Sequence, residues 1–172
     1  MIWGLLEDTQ EEDQVTTLSL LPGPLKRLFA RIDAAGTREH SLEMALDHWR
    51  IRRGDRVFPG QSDIDVAQLG PLASQVFVFQ RRAKADWSLK FAGDAAKRIL
   101  NPPAHDPALS TLENHRIAAR LRLLFEWVEQ TGEAVSASFI SPEQSGEILA
   151  APLSKDGNKV EAIFGGIVLR QR

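Results

Sequence analysis

A chain of 172 residues, 43% apolar and 26% charged, is long enough for one globular core with an appendage, and no apolar run in it nears the ~20 residues that span a bilayer. The complete lack of cysteine excludes disulfides, thiolate nucleophiles, zinc ribbons and cysteinyl flavin or chromophore adducts. The net charge of −2 is split unevenly: residues 1–21 carry Glu7, Asp8, Glu11, Glu12 and Asp13 and no base, so the remainder is about +3, too little to argue for nucleic-acid binding through phosphate neutralisation.

The chain opens on Met1-Ile2-Trp3-Gly4-Leu5-Leu6 and turns acidic at once, without the basic n-region of a secretory signal, so a cytoplasmic protein is expected. Residues 1–21 read either as a mobile or partner-dependent tail or as a segment whose Trp3, Leu5 and Leu6 pack back on the domain. Pro22-Gly23-Pro24 then opens a short helix over 24–35. Its stripe of Leu25, Leu28, Phe29 and Ile32, at helical spacing, must bury itself against the main domain or a second copy of the chain.

A second helix is expected from Ser41, as N-cap, to Arg53, with Leu42, Ala45, Leu46 and Trp49 inward and Gly54 as its stop. The cluster Arg50, Arg52, Arg53 and Arg56 suits the negative end of that helix dipole. Ser62-Asp63-Ile64-Asp65 reads as a turn and short helix start. Gln75–Gln80 and Trp87–Ala92 are strands, joined as a hairpin across the polar residues 81–86. Residues 93–109, broken by Asn101-Pro102-Pro103 and Pro107, are irregular with short helical turns at most.

A long helix capped at Ser110 or Thr111 follows, carrying Leu112, Ile117, Leu121, Leu124, Phe125 and Val128 inward and ending at Gly132. Three strands close the chain, 134–141, 147–154 and 160–169. Asp156-Gly157 between the last two signals a type I′ hairpin.

This order of elements resembles a PAS domain, and the residues make the resemblance narrower. Leu46-Asp47-His48-Trp49-Arg50, Arg53-Gly54-Asp55-Arg56, Phe58-Pro59 and Ser62-Asp63-Ile64-Asp65 resemble the opening segment of a single-domain bacterial, chiefly alphaproteobacterial, PAS family once catalogued as a domain of unknown function (PAS_5-like). Ile148–Ser154, Asp156-Gly157 and Ile163-Phe164-Gly165-Gly166 resemble its end. Departures are Val66 where a proline is expected, Gln61 where a base is expected, and Asn101-Pro102-Pro103-Ala104-His105 in place of a Gly-rich helical link. The resemblance implies an α+β, PAS-like fold: a five-stranded antiparallel sheet with helices on one face, plus an N-terminal helical extension. Residues 1–39 would form the acidic tail and amphipathic helix, and 40–172 the PAS-like domain.

No catalytic constellation accompanies these parts. Ser141, Ser145 and Ser154 have no evident base, Gly-x-Ser-x-Gly and phosphate loops are absent, and no two of His40, His48, His105 and His115 have the spacing of a helical metal site. An enzyme is not expected, and neither is a metal or other cofactor. His115 alone has a position, on the long helix, where the resemblance implies a haem ligand in some relatives; the alternative is a surface or capping histidine.

Two functions are expected to compete. One is a protein–protein docking or dimerisation module, binding signalling proteins such as histidine kinases or a second copy of itself through Leu25, Leu28, Phe29 and Ile32, with no nucleic acid and no membrane insertion. The other is a small-molecule sensor with a pocket between sheet and long helix lined by Phe91, Leu100, Leu124, Phe139 and Ala150. Those side chains would equally serve as plain core. Gly165-Gly166, inside a strand, signals a bend or close approach that could enlarge such a pocket.

Overall fold

The computed structural model describes residues 27–33, 36–83 and 85–172. Helix α1, His40–Arg53, buries the expected stripe of Leu42, Ala45, Leu46 and Trp49 and ends at Gly54, whose positive φ of 59° sends its amide back to the Arg50 carbonyl. The helix starts one residue before Ser41, and neither Ser41 nor Glu39 caps it by a side chain. What fixes its start is the buried Glu147 carboxylate on the sheet, which accepts the amides of Arg38 and Glu39 at 3.0 to 3.3 Å. Short 3₁₀ turns then run over Gln61–Asp63 and Val66–Gln75, with the Asp65 carboxylate capping the second by accepting the Ala67 amide.

Strands β2 (Val76–Ala83) and β3 (Asp86–Ala92) form the expected hairpin, although both strands run on to within two residues of each other. Helix α2 (Asp94–Leu100) and a single turn at Leu109–Thr111 are all the regular structure in the Pro-broken stretch. Helix α3, His115–Thr131, begins later than Ser110 or Thr111. Its cap is Asn114, which accepts the Ile117 amide and donates its side-chain NH2 to the Ile99 carbonyl at 2.8 Å. That second bond fixes the cap where a Thr111 cap would leave Asn114 unused. Gly132 stops the helix in the left-handed region, as expected.

Strands β4 (Val135–Ile140), β5 (Gln144–Leu153) and β6 (Ala162–Gln171), with the short β1 (Arg31–Asp33), complete an antiparallel sheet of order β1-β4-β5-β6-β2-β3. The sixth strand, β1, is paired with β4 through Arg31↔Ser138. The helix expected over 24–35 is therefore corrected: Ile32 lies in a strand, because pairing with the edge of β4 outweighs a local 3.6-residue spacing. Leu25 lies outside the described residues. Leu28, Phe29 and Ile32 pack on the same core as α3 and do not form a free helical stripe.

The helices also cover both faces of the sheet, where one was expected. Side chains alternate along a strand, and here both sets are buried. Phe77, Phe79, Ile148, Ala150, Ile163 and Ile167 face α2 and α3. Val76, Val78, Leu149, Ala151, Phe164 and Val168 face α1. The β5–β6 connection is not a type I′ turn, since Gly157 has φ of 80° but Asp156 does not have positive φ. Instead the Asp156 carboxylate closes a longer loop by accepting the Ser154 hydroxyl and the amides of Asn158 and Lys159. Among the described residues, no helix is long and apolar enough to cross a membrane.

Candidate functional site

Between sheet and long helix, where a pocket was expected, side chains fill the space. Phe125 of α3 sits 5.2 Å, centroid to centroid, from Phe79, 5.5 Å from Trp87 and 6.2 Å from Phe77, in edge-on or tilted contacts. Leu100, Leu124 and Ala150 are fully buried in this cluster, and Phe139 nearly so. Phe91 is not with them: it packs against the cluster on the other face and lines an outer cleft. The five residues are thus not brought together as one lining.

The two strand glycines make room for side chains and not for a ligand. A Cβ on Gly165 would lie 2.0 Å from the Leu149 carbonyl oxygen and 2.9 Å from the Phe77 ring. One on Gly166 would lie 2.8 Å from Leu42. His115 is exposed in the first turn of α3, beside a shallow groove shared with Leu28 and Leu112, and not against the sheet. Its position is that of a surface histidine.

Some of the residues that carried the resemblance, Asp55, Arg56, Phe58, Ser62, Asp63, Ser154, Asp156 and Gly157, meet elsewhere, on a cleft of about 1020 Å³ between the segment after α1 and the β5–β6 loop. One wall is Asp55 to Asp63, the other Ser154 to Gly157. One hydrogen bond ties the walls directly, and a second ties α1 to β5 beside them. The Ser154 amide donates to the Pro59 carbonyl at 3.0 Å, and the buried Trp49 indole donates to the Pro152 carbonyl at 2.9 Å. Phe58, beside Pro59, is buried against Gly132 at the end of α3.

Charges around the cleft are largely committed to one another. The Arg56 guanidinium pairs with Asp63 at 3.0 Å and donates to the Arg52 and Arg53 carbonyls. The Gly60 amide donates to Asp63 and, with Arg56, holds its carboxyl below the usual range against a small cost of burial. Asp156 is held low by the Asn158 amide, the Ser154 hydroxyl and the Lys159 amide. Arg53 stacks over the Trp49 ring at 5.0 Å. Beside this polar rim stand exposed apolar side chains, Ile51 at 76% and Val57 at 67% exposure, with Met44 at 45% about two turns before Ile51 along α1.

Ser154 is paired with Asp156, but no imidazole lines the cleft to act as base. Among the described residues no group of three His, Asp or Glu could hold a metal ion. The two walls were visible in the sequence only as separate motifs, and nothing local could show that they meet.

A sequence model described as PAS domain (PAS_5) matches residues 37–168. No curated protein matches the chain. Among solved structures, one described as the structure of an RNA-binding light-oxygen-voltage receptor aligns with 17% identity and a TM-score of 0.39, over 59% of this chain. The chain spans 32% of that protein's length.

Proposed function

The chain belongs to the PAS_5 family of PAS domains, and from that premise we propose that it is a non-enzymatic docking module of signalling, reading partners through its surface and not ligands through its interior. The observation that carries this reading is the ring cluster of Phe77, Phe79, Trp87 and Phe125, which occupies the space between sheet and α3. A sensor would need that space open.

The docking surface is the outer face of α1 with the cleft at its end. Met44, Ile51 and Val57 offer apolar contact that a monomer gains nothing by exposing. Arg53, held over the Trp49 ring at 5.0 Å, supplies a planar donor suited to a partner's carboxylate. Signalling proteins such as histidine kinases, or a second copy of the chain, are the partners such a surface fits.

Two measurements test this. Native mass spectrometry of the purified protein should give the mass of the bare polypeptide, and a stoichiometric small molecule released on denaturation would overturn the reading. Binding to the cytoplasmic domains of histidine kinases, followed by biolayer interferometry, should weaken at least roughly tenfold in the I51E/V57E double variant, a loss of about 1.4 kcal/mol. Its Tm should stay unchanged, because both side chains are exposed. Equal binding by the variant would remove this surface from the account.

A further inference from the structure

A second cleft, sharing no residue with the first, lies between β3, α2 and the proline-broken segment and encloses about 900 Å³. Its apolar side is Leu89, Phe91, Pro102 and Pro103. Its rim carries Lys90, Lys97 and Arg98, all exposed and none with a side-chain partner among the described residues. Among the described residues, Asp94 is the one carboxylate in the lining. The neighbouring acids are engaged elsewhere, Glu113 by the Asn101 side chain and Asp106 by Arg82.

The dipole of α2 accounts for Lys97 and Arg98 in its last turn. It does not account for Lys90 on the facing strand, nor for an apolar wall beneath three unpaired cations. That combination selects an extended occupant that is both acidic and apolar.

This chain contains such a segment. Residues 1–21 hold Trp3, Leu5 and Leu6, then Glu7, Asp8, Glu11, Glu12 and Asp13, with no base to oppose the rim. The path is short. Leu28 lies beside Leu109 and Leu112, close along the chain to Pro107, which lines the cleft. The residues between Asp13 and Arg27 could span on the order of 45 Å at about 3.3 Å each, more than the width of a domain this size.

We propose that residues 3–13 dock in the cleft between β3 and α2 of the same chain, the apolar side chains against Phe91 and the prolines and the acids against Lys90, Lys97 and Arg98. Contact of this kind is part hydrophobic and part screened by salt.

Because the chain has no cysteine, the substitution Thr9→Cys places one spin label in the full-length protein. At low ionic strength the amides of residues 89–92, 97–101 and 104 should lose most of their NMR intensity, independently of dilution. In the Lys97→Glu/Arg98→Glu variant, and at about 1 M salt, that intensity should return. The variant's own spectrum shows that it is folded. Broadening that is absent, that centres on the groove beside Leu28 and Ala118, that survives charge reversal, or that appears only between labelled and unlabelled molecules would overturn the proposal.

Discussion

The two faces of the sheet are held by different physics. Toward α3 the heart of the contact is aromatic and aliphatic, with three rings meeting around Phe125. Toward α1 the core is smaller and mostly aliphatic, and polar clamps fix the helix at both ends. Glu147 takes the amides that lead into it, Arg170 grips Glu39 with two hydrogen bonds of 2.7 and 2.8 Å, and Trp49 bonds the Pro152 carbonyl. An apolar contact tolerates many sequences of the right volume, whereas a clamp needs particular groups at particular places. Of the motifs that resemble the family, the Trp49 helix lies on the α1 side, while the alternating strands 148–153 and 163–164 serve both faces.

The sharpest way to break the comparison is Phe125→Ala. It removes three ring contacts from a fully buried site, so urea unfolding should show a loss of about 3–5 kcal/mol. If the variant stays folded, a small apolar ligand such as benzene should stabilise it in a thermal melt. A loss below about 1 kcal/mol, in the range of tolerated core swaps, would mean that the rings leave slack and that an interior pocket is open to ligands after all.

On the other face, Trp49→Phe keeps most of the volume but deletes the indole donor and leaves the buried Pro152 carbonyl without it. The expected cost is about 1–3 kcal/mol. Hydrogen exchange should rise in α1 and in residues 55–63, and little in α3. Exchange rising equally in both helices would mean that the two faces are one cooperative unit and not separately clamped.

How much of this was legible in the sequence follows the same division. The stripe Leu42, Ala45, Leu46 and Trp49 with its Gly54 stop, the hairpin of β2 and β3, and Gly132 were readable because each is set by local periodicity or local backbone geometry. Ile32 was not, since a three-residue strand leaves no periodic trace and exists only through its pairing with β4. The cover on both faces had a sign, the unbroken run Ile148-Leu149-Ala150-Ala151, which a strand with one wet face would not carry. Whether Leu100, Leu124, Phe139 and Ala150 enclose a hollow or fill one is a matter of volume in three dimensions, which no one-dimensional pattern encodes. The meeting of Pro59 with Ser154 is likewise a tertiary event between residues far apart in the chain.

The smallest expected effect concerns pH. His48 sits on α1 with its ring edge-on to Phe164, and its Nε2 accepts the Asp65 amide at 3.4 Å, a role only the unprotonated nitrogen can fill. Burial lowers its pKa, the Arg52 charge lowers it further, and Asp65 opposes them. The folded value therefore lies below the unfolded one of about 6.5. The stabilisation is complete above about pH 6.5 and is lost as pH falls toward the folded pKa, because the unfolded chain takes up the proton first. Unfolding free energy should drop between about pH 7.5 and 5.5, and the drop should shrink in His48→Gln. The cost of Phe125→Ala should be the same at both pH values, since the rings it touches, Phe77, Phe79 and Trp87, carry no titratable group. A pH-dependent Phe125→Ala cost would couple the faces through the sheet, and a pH-independent His48→Gln difference would remove the histidine from the clamp.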